Sequence, residues 1–164
     1  MTQDNEEASE EFSSRKLTVE RSTSTGHRLS RYDGVCGNIH GHNMNWHVEV
    51  RLRMDTGRDN MPLDLKEVAG IIDEFDHTLI LSIEDELFRE LGVDFTDDTE
   101  FPYHGEVKGI GDVWVFDGDP TCEVLAQYVA DRLIELEPVF VVDVQVNETE
   151  KYGISATAAD VEAL

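Results

Sequence analysis

Basic residues are scarce in this sequence: 13 Lys and Arg among 164 residues, only four of them lysine, against 36 Asp and Glu. The resulting formal charge of −23 argues against a nucleic-acid binder, which recruits phosphates with a basic surplus. Cysteine is limited to Cys36 and Cys122, too few for a disulfide framework. No apolar run approaches the roughly 18 residues of a membrane span. Residues 1–11 are polar and acidic, without the basic start and apolar stretch of a secretory signal, so a cytoplasmic protein is expected. Internal repeats and a glycine-rich phosphate loop are also missing.

What is present argues for a folded chain. Hydrophobic residues make up 40% of it and fall in periodic segments, unlike a disordered acidic polymer. An acidic excess spread along the chain, with little lysine, is the pattern of a halophilic protein surface. At about 1 M salt the Debye length is only ~3 Å and self-repulsion fades. An ordinary acidic protein is the alternative. The charge is uneven, however: residues 12–58 hold eight of the 13 basic residues and four of the 36 acidic ones.

Residues 1–14 are expected to form a mobile acidic tail, and 15–164 one α+β domain. Leu17 and Val19 begin a first strand that leads into the Ser/Thr run 22–25. Met44, Trp46, Val48, Val50, Leu52 and Met54 alternate with polar residues, the signature of a half-buried antiparallel strand. Asp64 and Glu67 open a helix whose apolar stripe is Leu65, Val68, Ile71, Ile72 and Phe75. A short helix is expected at 84–91, an aperiodic stretch at 92–112 and a short strand at 113–116. Asp119 as N-cap and Pro120 as first residue start a helix over 121–136 that buries Val124, Leu125, Tyr128, Val129, Leu133 and Leu136. Strands at 139–146 and 152–157 complete a β-β-α-(insert)-α-β-β order.

Chemistry concentrates in Cys36-Gly-Asn-Ile-His40-Gly41-His42. On an extended segment, His40 and His42 point to the same side, and Gly41 leaves room for a ligand. With His27 as a third imidazole, the set suits Zn²⁺ with one open position; the alternative is a surface loop that happens to hold three histidines. Cys36 is either a small buried hydrophobe or a thiolate base near the cation. Asp76-His77 can pair a carboxylate with an imidazole for proton transfer, or be an exposed helix end. Glu148, after a strand, is either solvent-facing or a carboxylate for a planar amidine-like edge.

Six motifs in order carry a resemblance: His27-Arg28-Leu29; Cys36-x-x-x-His40-Gly-His42-Asn43; Asp64-Leu65-Lys66; Asp76-His77; Pro120-Thr121-x-Glu123-x-Leu125-Ala126; and Glu148-Thr149 with Tyr152. Over residues 16–153, outside the insert, the chain resembles the 6-pyruvoyl-tetrahydropterin synthase / 6-carboxy-tetrahydropterin synthase family. The resemblance implies a tunnelling fold, with an antiparallel sheet and helices on one face. It also implies a homohexamer of two trimers with active sites between subunits. The implied substrate is 7,8-dihydroneopterin triphosphate, and Arg28 and Arg31, in the basic stretch, are candidates for steering its triphosphate. His27, His40 and His42 would hold zinc, Cys36 would be the base, and Asp76 with His77 the proton relay. Glu148 would bind the pterin edge, with Thr121 and Glu123 near the ring. The three-residue gap from Cys36 to His40 is like the carboxy-forming branch, which serves 7-deazaguanine synthesis toward queuosine or archaeosine. If the halophile is an archaeon, archaeosine is the expected product. The pyruvoyl-forming synthase and a non-catalytic zinc- or pterin-binding paralogue are the alternatives. Two departures stand out: Ser-Thr-Ser-Thr-Gly precedes His27 where the family has an aromatic-x-Ala-Ala, and the insert at about 84–116 has no counterpart in a minimal member. His47 and His104 are expected to be ordinary polar residues.

Overall fold

The computed structural model describes residues 14–54 and 61–160; the turn at 55–60 and the expected acidic tail, apart from Ser14 in the first strand, lie outside them. Strand β1 (Ser14–His27) pairs antiparallel with β2 (His40–Arg53) along their whole length, from Ser14 opposite Arg53 to His27 opposite His40. Strand β6 (Val139–Asn147) adds to β2, and β7 (Gly153–Ala159) to β6, both antiparallel. This four-stranded part matches the expected antiparallel sheet. Its apolar face carries Val19, Met44, Trp46, Val48, Val50, Leu52, Val142, Val144 and Val146, all buried. Helices α1 (Leu65–Asp73) and α3 (Cys122–Ile134) cover that face and share one core with it.

The first strand runs further than its apolar residues indicate. The Ser/Thr run stays extended because its odd positions face inward and find partners. Thr23 and Thr25 are buried, and Trp46 Nε1 donates to Thr23 Oγ1 at 3.0 Å. A buried hydroxyl with a partner removes the penalty that would otherwise push the run to the surface. Thr25 Oγ1 also donates to the Phe75 carbonyl at 3.3 Å, tying β1 to the end of α1.

The sheet is larger and more mixed than expected. Strand β3 (Leu79–Ser82) lies parallel to the end of β1, and β5 (Gly111–Phe116) lies parallel to β3. Strand β4 (Tyr103–Val107) closes the edge antiparallel to β5, giving the order β4-β5-β3-β1-β2-β6-β7. This end of the sheet is covered on both faces. Ile80, Trp114 and Phe116 face the main core, whereas Leu81, Val113 and Val115 face a second cluster with Phe88 and Val107. Strands buried on both faces show no hydrophobic alternation, which is why β3 escapes a periodicity reading. Helix α2 (Glu86–Glu90), capped by Asp85, contributes Phe88 to the second cluster.

Two expectations for α3 are corrected. Its N-cap is Thr121, whose hydroxyl accepts from Val124 N, and not Asp119; Asp119 turns instead to the loop after β1. Val124 is 38% exposed, while Ala126 and Ala130 take buried positions on the packed face. Small residues there let the helix lie close to the sheet.

Phe75 sits at the junction of sheet and helices, with Trp46 stacked on it at 5.8 Å and Trp114 tilted at 5.0 Å. It is fully buried. Phe75→Ala is expected to cost about 3–5 kcal/mol through lost burial and the cavity left behind. Urea unfolding monitored by tryptophan fluorescence checks this, with no shift in midpoint as the contrary result.

Candidate metal centre and substrate pocket

The core-facing rows of β1 and β2 do not stop where their apolar residues stop. Thr23 and Thr25 lead to His27 on one strand, and Met44 leads back to His42 and His40 on the other. Because side chains alternate, residues two apart share a face, so all three imidazoles project on the helix side of the sheet. His27 and His40 are directly paired across the ladder. The ring centroids lie 4.6 Å (His27–His40), 4.9 Å (His40–His42) and 5.3 Å (His27–His42) apart. Glu148 continues the inward row of β6 beyond Val144 and Val146 and joins them. One donor atom from each of the four residues falls within 4.8 Å of all the others.

Two of the imidazoles are oriented by backbone. His27 Nδ1 lies 3.2 Å from the Pro120 carbonyl, and His40 Nδ1 lies 2.7 Å from the Asn38 carbonyl. A carbonyl only accepts, so each Nδ1 carries the proton and each Nε2 presents a lone pair. Both Nε2 atoms are buried and make no hydrogen bond. Glu148 Oε1 stands 3.0 Å from His27 Nε2 and 3.1 Å from His42 Nε2. Orphaned, converging, buried nitrogens beside a carboxylate fit a divalent cation, and imidazole suits zinc in particular. Burial pushes the His27 imidazole below its ordinary range, against the opposing pull of the Pro120 carbonyl and Glu148. The neutral form is the one that ligates a metal.

Beside the cluster opens a cavity of about 460 Å³. His27 and Glu148 line it, together with Cys36, Thr121, Cys122, Glu123, Lys151 and Tyr152. Cys36 lies in a single 3-10 turn, Val35–Gly37, between β1 and β2. Glu148 is set by the turn into β7, where its N–H donates to the Tyr152 carbonyl and Thr149 Oγ1 accepts from Tyr152 N. Sequence reasoning missed Cys122 and Lys151. Their sole signal was adjacency, Cys122 between Thr121 and Glu123, and Lys151 beside Tyr152. Burial, then the charges of Glu148 and Glu123, pushes the Cys122 thiol up to about 12, which keeps it protonated at neutral pH.

The remaining candidates lie elsewhere. His77 Nδ1 is 2.9 Å from Asp76 Oδ2, and Asp76 Oδ1 accepts from Ser24 N at 2.7 Å. That hydrogen bond, then the His77 side chain, holds the Asp76 carboxyl below its usual range. The His77 ring is 81% exposed, and neither residue lines the cavity. Arg28 and Arg31 do not line it either. Their guanidiniums are engaged by Asp85 and Glu84. His47 lies between Glu20 and Glu49 on the polar face of the sheet, and His104 stacks on Trp114 at 4.3 Å.

The depressed His27 value has a consequence for stability. Below about pH 6.5 an unfolded histidine binds a proton that folded His27 resists. Stability of the metal-free protein is therefore expected to fall as pH drops through about 6.5. His27→Asn should flatten that part of the curve in urea titrations of EDTA-treated protein; an unchanged pH dependence counts against it.

Comparison with known proteins agrees with this geometry. Residues 16–159 match the family model described as 6-pyruvoyl tetrahydropterin synthase. A Halobacterium salinarum protein named probable 6-carboxy-5,6,7,8-tetrahydropterin synthase is 29% identical over 136 residues, covering 81% of this chain and 79% of that protein. Among solved structures, 6-pyruvoyl tetrahydropterin synthase of Plasmodium falciparum superposes with a TM-score of 0.58 at 20% identity, over 90% of this chain and 99% of its own. An uncharacterized Wolinella succinogenes protein gives 0.60 at 23% identity, over 90% and 98%. At these identities the structures show the shared fold. The family match spans both histidine-bearing strands, the Cys36 turn and Glu148, and this chain belongs to the 6-pyruvoyl tetrahydropterin synthase family, a family of lyases.

Proposed function

We propose that this chain is a zinc-dependent 6-carboxy-5,6,7,8-tetrahydropterin synthase. Its reaction would convert 7,8-dihydroneopterin triphosphate and one water to 6-carboxytetrahydropterin, acetaldehyde and triphosphate, in 7-deazaguanine synthesis leading to archaeosine or queuosine. One observation carries the reading: three imidazoles converge with Glu148, the Nε2 atoms of His27 and His40 buried and without a hydrogen bond, and His27 and Glu148 line the cavity that also holds Cys36. The carboxy-forming choice is supported by the three residues between Cys36 and His40 and by the name of the Halobacterium relative. The dispersed acidic charge supports a salt-adapted enzyme.

His27, His40 and His42 would hold the zinc, leaving a position open to substrate. Bound there, zinc supplies Lewis-acid polarisation of the pterin's side-chain hydroxyls. Cys36, on the cavity wall, is assigned the role of base that removes a side-chain proton. Glu148 lines the same cavity and is assigned the pterin's 2-amino and N3 edge, for which two carboxylate oxygens accept two parallel N–H donors. Thr121 and Glu123 line the cavity at the start of α3 and are assigned positions near the ring. Lys151 offers positive charge within the cavity to an anionic substrate.

Asp76 and His77 form a hydrogen-bonded pair suited to relaying a proton, but on the chain's surface. A homohexamer of two trimers places active sites between subunits, so that the pair of one copy serves the cavity of another. The relay then depends on assembly.

Two measurements test the assignment. Cys36→Ala is expected to abolish acetaldehyde release from 7,8-dihydroneopterin triphosphate while retaining zinc near one per chain; full turnover removes Cys36 from the mechanism. Glu148→Gln should raise KM for the pterin about tenfold or more, the worth of one lost charge-assisted hydrogen bond, with zinc retained. Loss of the metal in that variant would instead make Glu148 a ligand.

A further inference from the structure

Residues 83–119, after β3, supply no residue of the cavity wall, yet they grip the loop that carries Cys36. That loop, residues 28–39, has little apolar anchorage: Tyr32, Val35 and Ile39 are all at least half exposed. Polar contacts set its path. Asp85 has a fully buried carboxylate that accepts from Arg28 Nε at 2.5 Å through one oxygen and from Arg28 Nη2 through the other. The next residue, Leu29, receives in turn a backbone contact with the catalytic turn, its N–H donating to the Cys36 carbonyl at 2.9 Å. Leu29 and Cys36 both line the cavity. Asp119 adds a second anchor by accepting from Ser30 N at 2.7 Å and Ser30 Oγ at 2.8 Å. The turn itself is wound tightly, since a Cβ on Gly37 would stand 2.6 Å from the Tyr32 carbonyl oxygen.

A forked guanidinium on a carboxylate taken wholly out of water fixes both direction and distance, as a lone ammonium does not. Proton transfer needs donor and acceptor within about 2.6–3.2 Å, and a displacement of about 1 Å costs on the order of a hundredfold in rate.

We propose that Asp85, acting through Arg28, is a positioning residue for Cys36, so that the segment after β3 is a strut for the catalytic loop. Arg28 thereby belongs to the loop's support and not to substrate binding. The inference rests on the reading of Cys36 as the base.

Two conservative variants test it. Asp85→Asn keeps an N-cap for α2 and an acceptor but loses the charge; Arg28→Lys keeps the charge but loses the fork. Each is expected to lower kcat about tenfold, with KM for 7,8-dihydroneopterin triphosphate within twofold and zinc content unchanged. The double variant should fall no further than the worse single one, because both remove one shared contact. Iodoacetamide alkylation, followed at the Cys36 peptide, should quicken at least threefold in both variants. Unchanged kcat, losses that multiply, or a raised KM with normal kcat would each overturn the proposal. A variant merely destabilised would lose melting temperature but keep kcat per zinc-loaded chain, which overturns it too. Cys36→Ala separates the two readings: if that variant stays active, Cys36 is not the base, and the alkylation rates still decide whether Asp85 holds the loop.

Discussion

The antiparallel register of β1 on β2 is the constraint from which the site follows. His27 meets His40 across the ladder, and parity puts both on the face that buries Trp46 and Val48. A slip of one residue would turn His27 to the polar face and separate it from the other two imidazoles. The hydrophobic effect sets this register: Val19 and the row Met44 to Leu52 must all face α1 and α3. The imidazole cluster is thus the end of a core row, where apolar side chains give way to nitrogen donors. The same parity on β6 brings Glu148 to that face beyond Val146.

Acidic residues do two kinds of work here. Most give the chain its charge of −23, but several hold backbone and loops in place. Asp64 and Asp85 cap α1 and α2, Asp76 accepts from Ser24 N, and Asp119 ties the loop after β1 to the approach of α3. Pro120 follows directly and orients His27 through its carbonyl. Adjacent residues of one connection therefore serve the imidazole cluster and the Cys36 loop together. The basic lean of residues 12–58 also acquires a structural meaning, since Arg28 and Arg31 neutralise carboxylates from a distant segment.

Legibility varied with how many faces of an element are buried. Strand β2 and helix α1 each bury one face, and their period was plain. Strands β3 and β5 are buried on both, and their apolar residues follow one another without alternation, so that only the run at 113–116 read as a strand. Asp119-Pro120 has the chemistry of a helix start, yet Thr121 took the cap because Asp119 found better donors in Ser30. The Ser/Thr run looked like the end of a strand, and became its inward face only because Trp46 and the Phe75 carbonyl lie opposite.

By itself the sequence determined what local spacing determines. His40 and His42 share a side because they are two apart on a strand, and Cys36 lies within one short loop of them. The α+β class follows from the periods of its one-face-buried elements. Tertiary structure decided what no spacing encodes. It placed His27 and Glu148, 121 residues apart, around one point. It took Arg28 and Arg31 away from the cavity and put Lys151 into it. It left Asp76 and His77 outside that cavity. The reason is that a charge or a lone pair acts on what is near in space. In this chain nearness is set by strand register and core packing, with order along the backbone deciding only the first few ångströms.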